Sequence, residues 1–357
     1  MTRIILIQNG ASETAVEYLA QSALKVKNST ITVIADQIPV ASDNRIEWLS
    51  STNSSISACI RRAAKAANED RLMFMDARLS VTAAAMAGMA AYINAQPDGT
   101  FSYVPLSVDG ELMELGDLGE DSLVPFLSST PALPLMAIGI SRDMILRSAN
   151  LRGETLTEVL TELLVKSILA CDEIAAYGDA LKISAEMAAT LTLSSAASAR
   201  TLRTVVDSCN IEELFPQHNW SQHSKESAAA CYHTLAATFI KFGDAESATE
   251  CLKLGDTLEE SPRSLALRGL IARERGEVLG AVANMISSLQ QYELRKKNEE
   301  GESHYIAFEP SNAEQVESEL RAGLAALNKR DNEGAMQHFM TAVFKFDAFY
   351  KDCGIEQ

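Results

Sequence analysis

The first 140 residues alternate short apolar runs with longer amphipathic stretches. The runs have the β-branched, continuous character of strands buried on both faces, and they lie at Ile4–Ile7, Thr30–Ala35, Ile46–Leu49 and Arg71–Met75. Between them, residues 13–25, 56–67 and 81–94 carry apolar side chains at helical spacing. Strands separated by helices of this length predict right-handed βαβ units and a mostly parallel sheet.

The last third of the chain repeats a helical pattern. Gly243 and Gly276 are 33 residues apart (276 − 243), and Ala248 and Ala281 have the same separation. A third unit, with Gly323 and Ala335, follows a polar insertion at 291–312, and it carries Arg330 where the earlier units have a mid-turn glycine. This pattern resembles the tetratricopeptide repeat, a helical hairpin with a period of about 34 residues. The resemblance implies a groove that binds a protein or peptide.

Composition narrows the choice of partner and compartment. The formal net charge of −17 disfavours nucleic acid and anionic membrane surfaces as partners. This acidity either serves solubility or lines a groove for a basic partner. The six cysteines form no CxxC pair, which fits a reducing compartment. Because no apolar run approaches the ~20 residues of a membrane span, and the first run is too short for a secretory signal, we expect a cytoplasmic protein without membrane insertion.

Residues 1–185 resemble the family 2 glycosyltransferases of the A fold. The likeness rests on the order of strands and helices, on Asp36 and Asp76 at strand ends, and on the stretch 56–78, which resembles the helix and strand leading to that family's DxD motif. Residues 153–179 resemble its acceptor-side helix and following turn. The predicted architecture is α/β then all-α. It comprises a glycosyltransferase A-like domain at 1–185, a helical linker region at 186–226 and tetratricopeptide-like repeats at 227–357.

The resemblance implies a nucleotide site made by Asp36, Asp76 and Arg78. In the family, the Asp at the position of Asp36 bonds the base, the first Asp of DxD contacts ribose or metal-bound water, and the second Asp ligates Mg²⁺ or Mn²⁺. Here Arg78 replaces that second carboxylate. A guanidinium cannot ligate a cation, but it can pair with phosphate in a bidentate fashion. The prediction is therefore no metal and no cofactor, the alternative being Mn²⁺ or Mg²⁺ with a nucleotide sugar.

The same resemblance points to Glu162 as the candidate catalytic base, with Leu163 in place of the family's usual second carboxylate. The loop Gln8–Ser12 also departs from the family pattern. Each candidate has a structural alternative: a solvated helix face for Glu162, strand termination for Asp36 and Asp76, and a surface ion pair for Arg78.

Two functions follow. The first is an interaction or scaffold protein that combines a catalytically degenerate transferase-like domain with a partner-binding repeat array. The alternative is an active nucleotide-sugar glycosyltransferase whose repeats hold a protein acceptor, since tethering raises the local acceptor concentration. The lost metal motif favours the first function, and the sequence leaves open whether the chain is an enzyme.

Overall fold

The computed structural model describes residues 1–38, 43–52, 54–113, 115, 133–148, 151–169, 173–216, 218, 220–298 and 310–344. The chain divides into two compact units, Met1–Cys209 and Asn210–Gln357. The first is an α/β unit and the second is helical. The segment predicted as a helical linker contains three helices, two of which belong to the first unit.

The first unit is organised by a sheet to which seven described strands contribute, in the order β3-β2-β1-β4-β8-β5-β9. Strand β8 runs antiparallel to both of its neighbours, and the other pairs are parallel. The sheet is thus mostly parallel, as predicted. Its strands are β1 (Thr2–Ile7), β2 (Ser29–Ala35), β3 (Ile46–Ser50), β4 (Arg71–Asp76), β5 (Phe101–Tyr103), β8 (Ala137–Ser141) and β9 (Ile174–Ala176).

Helices cover the two faces of this sheet. Helices α1 (Glu13–Ala23) and α3 (Ala83–Ala95) pack on one face, where Ile4, Leu6 and Met73 point into the core. Helices α2 (Ile56–Ala66), α4 (Arg142–Arg147) and α5 (Leu156–Leu169) form a second core with Ile5, Ile7 and Phe74. Because successive side chains of a strand point to opposite faces, a strand covered on both sides must be apolar throughout. This explains the unbroken apolar runs of β1 and β4.

A second, smaller sheet was not predicted. Strands β6 (Leu106–Val108), β7 (Glu111–Met113) and β10 (Leu181–Ile183) pair in the order β10-β6-β7. Each strand has three residues, which is too short to display a period of two along the sequence. The chain then continues through α6 (Ala185–Ala189) and α7 (Ser195–Val206), and α7 packs against α5.

The second unit consists of α8 (Ile211–Leu214) and six longer described helices that pair as hairpins. Helix α9 (Ser224–Lys241) packs against α10 (Ala245–Leu258), α11 (Pro262–Glu274) against α12 (Val278–Asn298), and α13 (Pro310–Asn328) against α14 (Asn332–Phe344). Helix α11 also packs against α10, and α14 against α12, so successive hairpins are in contact. Within the described part of the chain, no helix combines the length and apolar character needed to cross a membrane.

The same turn closes all three hairpins. Gly243, Gly276 and Arg330 adopt positive φ angles of 76°, 76° and 62°. In each turn the next residue donates its N–H to the carbonyl five residues earlier: Asp244 to Phe239, Glu277 to Ala272 and Asp331 to Ala326. This is the hydrogen-bond pattern of a helix that ends on a left-handed residue. Arg330 thus occupies the position of the two glycines.

Close packing inside the second and third hairpins also recurs. A Cβ atom on Gly269 would lie 2.9 Å from Met285, and one on Gly323 would lie 2.7 Å from Phe339. Both residue pairs shift by 54 positions between the hairpins (323 − 269 and 339 − 285), as do the turn residues (330 − 276). The third hairpin therefore keeps the packing of the second, with 21 extra residues between them (54 − 33).

Because Arg330 lies in the left-handed region, we expect Arg330→Gly to stabilise the second unit. A non-glycine residue there costs about 1–2 kcal/mol, and the added backbone entropy of glycine offsets about 0.5–1 kcal/mol of this. The expected net gain is about 0.5–1 kcal/mol, measured as a higher urea midpoint of the full chain.

Gly276→Ala, at the equivalent turn, should lower that midpoint. Ala325→Gly, in the interior of α13, should lower it by about 1 kcal/mol, because glycine has poor helix propensity. A midpoint that falls equally in Arg330→Gly and Ala325→Gly would contradict the assignment of Arg330 to the left-handed turn.

Candidate functional site

The carboxyl ends of four adjacent strands meet at one edge of the large sheet. Ile7 on β1 pairs with Ile34 on β2 and with Asp76 on β4, while Ala35 pairs with Ser50 on β3. The residues that follow these strands are therefore neighbours in space. We call this edge the strand-end edge; it comprises Gln8, Asn9, Asp36, Ser51, Thr52, Asp76 and Arg78.

Asp36 is exposed and is held by both neighbouring strand ends. Its backbone N–H donates to Oε1 of Gln8 at 2.8 Å, and its Oδ1 accepts the hydroxyl of Ser51 at 2.8 Å. The hydroxyl of Thr52 donates to the Asp36 carbonyl. These contacts fix the backbone and one carboxylate oxygen, while the side chain stays accessible to solvent.

Asp76 and Arg78 form a tight ion pair at the end of β4. The backbone N–H of Arg78 donates to Asp76 Oδ1 at 2.9 Å, Nε lies 3.0 Å from both carboxylate oxygens, and Nη2 donates to Oδ2 at 2.7 Å. The Asp76 side chain is only 1% exposed, whereas that of Arg78 is 20% exposed. The guanidinium thus covers the carboxylate and keeps one edge in solvent.

Two residues from distant parts of the chain complete this cluster. Asn9, in the turn after β1, donates Nδ2 to Asp76 Oδ2 at 2.7 Å. Thr190, at the end of α6, accepts Nη1 of Arg78 at 3.0 Å. The sequence marked Asn9-Gly10 only as a turn, and no local pattern links Thr190 to Arg78, which lies 112 residues earlier.

Together these donors occupy both oxygens of Asp76. A carboxylate offers about four lone-pair positions. Here Oδ1 accepts two N–H groups of Arg78, and Oδ2 accepts Asn9 and the Arg78 fork. Among the residues that the structure describes, no group of three or more His, Cys, Asp and Glu side chains is arranged to hold a metal ion. The described residues of the strand-end edge therefore do not fit a divalent cation.

Glu162 lies in α5, on the sheet face covered by α2 and α4, and is 1% exposed. The solvated-face alternative for this residue is therefore wrong. Its Oε2 accepts the backbone N–H of Arg152 at 2.9 Å, and within the described residues it makes no hydrogen bond to Asp36, Asp76 or Arg78. Burial raises the pKa of Glu162, against the opposing effect of the Arg152 and Gly153 N–H groups and of Lys166.

A small pocket adjoins Asp36. It has a volume of about 200 Å³ and is lined by Gln8, Glu13, Val16, Glu17, Ala35, Gln37, Ile38 and Trp48. The indole Nε1–H of Trp48 is buried and has no hydrogen-bond acceptor among the described residues. The pocket thus offers an aromatic wall and polar groups beside the end of β2.

The structure therefore brings three of the four predicted site residues to one edge. Asp76 and Arg78 are in direct contact. Asp36 follows β2, two strands away from β4, which corresponds to about 10 Å at the usual strand spacing.

Comparisons with known proteins assign the chain to no family. No protein-family model matches the sequence, and no curated protein matches it. Among solved structures, the crystal structure of S. aureus TarS 1-349 aligns with 87% of this chain and 94% of that chain, with a TM-score of 0.43 and 11% sequence identity.

The burial of Glu162 leads to a prediction about pH. Because its pKa is raised in the folded state, the folded protein keeps this proton longer than the unfolded chain does. Its contribution to the free energy of unfolding therefore falls as the pH rises above the ordinary value of 4.5. Glu162→Gln removes this loss, so the variant should gain stability relative to the unmodified chain as the pH is raised from 4.5 to 8, measured by urea unfolding.

Glu158→Gln is the matched control in the same helix. Glu158 is also buried, but it accepts Nη2 of Arg200 at 2.9 Å and the N–H of Glu154 at 3.0 Å. Loss of its charge should destabilise the chain by about 1 kcal/mol at neutral pH, since a charged hydrogen bond becomes a neutral one. If Glu162→Gln were as destabilising as Glu158→Gln at pH 8, the predicted sign for Glu162 would be wrong.

Proposed function

We propose that the chain is an interaction protein that combines a nucleotide-binding, glycosyltransferase-like unit without transferase activity with a partner-binding array of tetratricopeptide-like hairpins. The observation that carries this proposal is the closure of Asp76 by Arg78 and Asn9. Sugar transfer from a nucleotide donor needs stabilisation of the departing diphosphate, and in the resembled family a divalent cation on the DxD carboxylates supplies it.

The second missing function is the catalytic base. A base must lie within hydrogen-bond reach of the acceptor hydroxyl. Glu162 is enclosed by the core of the first unit and bonds the Arg152 backbone. We infer that this carboxylate orders the segment before α5 and does not take part in proton transfer. Neither half of the transfer chemistry then has a group in position.

The repeat array supplies the interaction function in this proposal. Three hairpins with the same turn and the same close contacts are the minimum for a stable array of this kind, and such arrays use their surfaces to bind peptides or proteins. The net charge of −17 favours a basic partner over an acidic one.

The proposal predicts that the full chain does not turn over nucleotide sugars. UDP- and GDP-sugars incubated with the protein and either Mn²⁺ or Mg²⁺ should release nucleoside diphosphate no faster than the protein-free blank. Release that requires Mn²⁺ and disappears in Asp76→Ala would instead support the alternative, an active glycosyltransferase whose repeats hold a protein acceptor.

The proposal also predicts where a protein ligand binds. Peptides selected from a random library on the full chain should be enriched in Lys and Arg. Hydrogen exchange with and without the best peptide should show new protection in 224–298 and 310–344. Protection confined to residues 1–209 would count against the repeat array as the binding surface.

A further inference from the structure

The Asp76–Arg78 pair has a counterpart elsewhere in the first unit. Asp43 and Arg45 have the same spacing and nearly the same geometry: the Arg45 N–H and Nε lie 2.9 and 3.0 Å from Asp43 Oδ1, and Nη2 lies 2.6 Å from Oδ2. An Asp-x-Arg pair can therefore close on itself through local geometry alone. The hydrogen bonds between Asp76 and Arg78 do not by themselves indicate a ligand.

The surroundings distinguish the two pairs. Asp43 and Arg45 are 26% and 65% exposed, and neither hydrogen-bonds the side chain of another strand end. Asp76 is buried and bonded to Asn9, and Arg78 is bonded to Thr190. A mobile surface pair has thus become a guanidinium with a fixed position and orientation at the strand-end edge.

The fixed guanidinium has donor capacity left. Arginine carries five N–H groups. Nε and one hydrogen of Nη2 serve Asp76, and one hydrogen of Nη1 serves Thr190. One hydrogen on each terminal nitrogen has no acceptor among the described residues, and the side chain is 20% exposed. Two N–H groups on neighbouring nitrogens match the paired oxygens of a phosphate.

We propose that Arg78 is a built-in cation that holds the diphosphate of a nucleoside diphosphate at the strand-end edge without a divalent metal ion. This inference rests on the nucleotide-binding part of the proposed function and names the group responsible. One guanidinium with one carboxylate has zero net charge, as does one divalent cation with two carboxylates. The replacement therefore preserves the local charge that a diphosphate meets.

The rest of the edge fits the nucleoside part of such a ligand. Asp36 lies about two strand spacings from Asp76, or about 10 Å. The pocket beside Asp36 has one aromatic side chain, Trp48, and polar groups on Gln8 and Gln37. A planar base with hydrogen-bonding edges suits this lining better than a second phosphate does, because Glu13 and Glu17 also border the pocket.

The test measures the affinity of the full chain for UDP and GDP by calorimetry, once in EDTA and once in Mn²⁺. The two conditions should give dissociation constants within about twofold of each other. Arg78→Ala should weaken binding by at least about tenfold, because it removes charged hydrogen bonds to phosphate. Arg45→Ala removes the same charge from the matched pair and should leave affinity unchanged.

Two further arms complete the test. Arg78→Lys keeps the charge but not the fork, and binding should weaken several-fold; this variant decides the question if Arg78→Ala does not fold. Pyrophosphate should bind more weakly than either nucleotide. Binding that requires Mn²⁺, unchanged affinity in Arg78→Lys, pyrophosphate binding as tight as the nucleotides, or no nucleotide binding would each overturn the proposal.

The outcome is separable from that of the proposed function. Metal-independent binding without turnover supports both. Turnover together with metal-independent binding removes the interaction-protein proposal and keeps the role of Arg78. Absence of turnover together with absence of binding leaves the interaction proposal for the repeats and removes Arg78 as a ligand group.

Discussion

The parallel pairing of β1 with β2 on one side and β4 on the other is the constraint from which the first unit follows. Both ladders run in register from Thr2 to Ile7, and every residue of β1 is buried. A shift by one residue would exchange the side chains that enter the two cores. The same register brings Gln8, Asp36 and Asp76 to one edge, so the packing of the sheet and the geometry of the edge are a single property.

At that edge, local and long-range contacts have different roles. The bonds between Asp76 and Arg78 depend on residues two positions apart and would form in many contexts, as Asp43 and Arg45 demonstrate. Asn9 and Thr190 depend on the tertiary structure. They turn a flexible cation into a preorganised one, and a preorganised group loses less entropy when a ligand binds. The proposed role of Arg78 depends on this second set of contacts.

The sequence predicted the large-scale arrangement of the first unit because burial on both faces leaves a strong pattern. Strands β1, β2, β3 and β4 and helices α1, α2 and α3 were predicted within a few residues of their bounds, and so was the proximity of Asp36, Asp76 and Arg78. Three-residue strands such as β6 leave no such pattern. The contact of Arg78 with Thr190 has no local signal, and the burial of Glu162 could not be predicted because the partners of α5 come from distant segments.

The burial of Asp76 beneath Arg78 also bears on how position 78 can change. A carboxylate there would put two like charges at the mouth of β4, one of them 1% exposed, with no cation supplied by the chain. Such a chain would depend on captured metal for its stability as well as for its chemistry. The arginine therefore makes the folding of this edge independent of metal supply, and a single return step to a carboxylate would have to be compensated before it could persist.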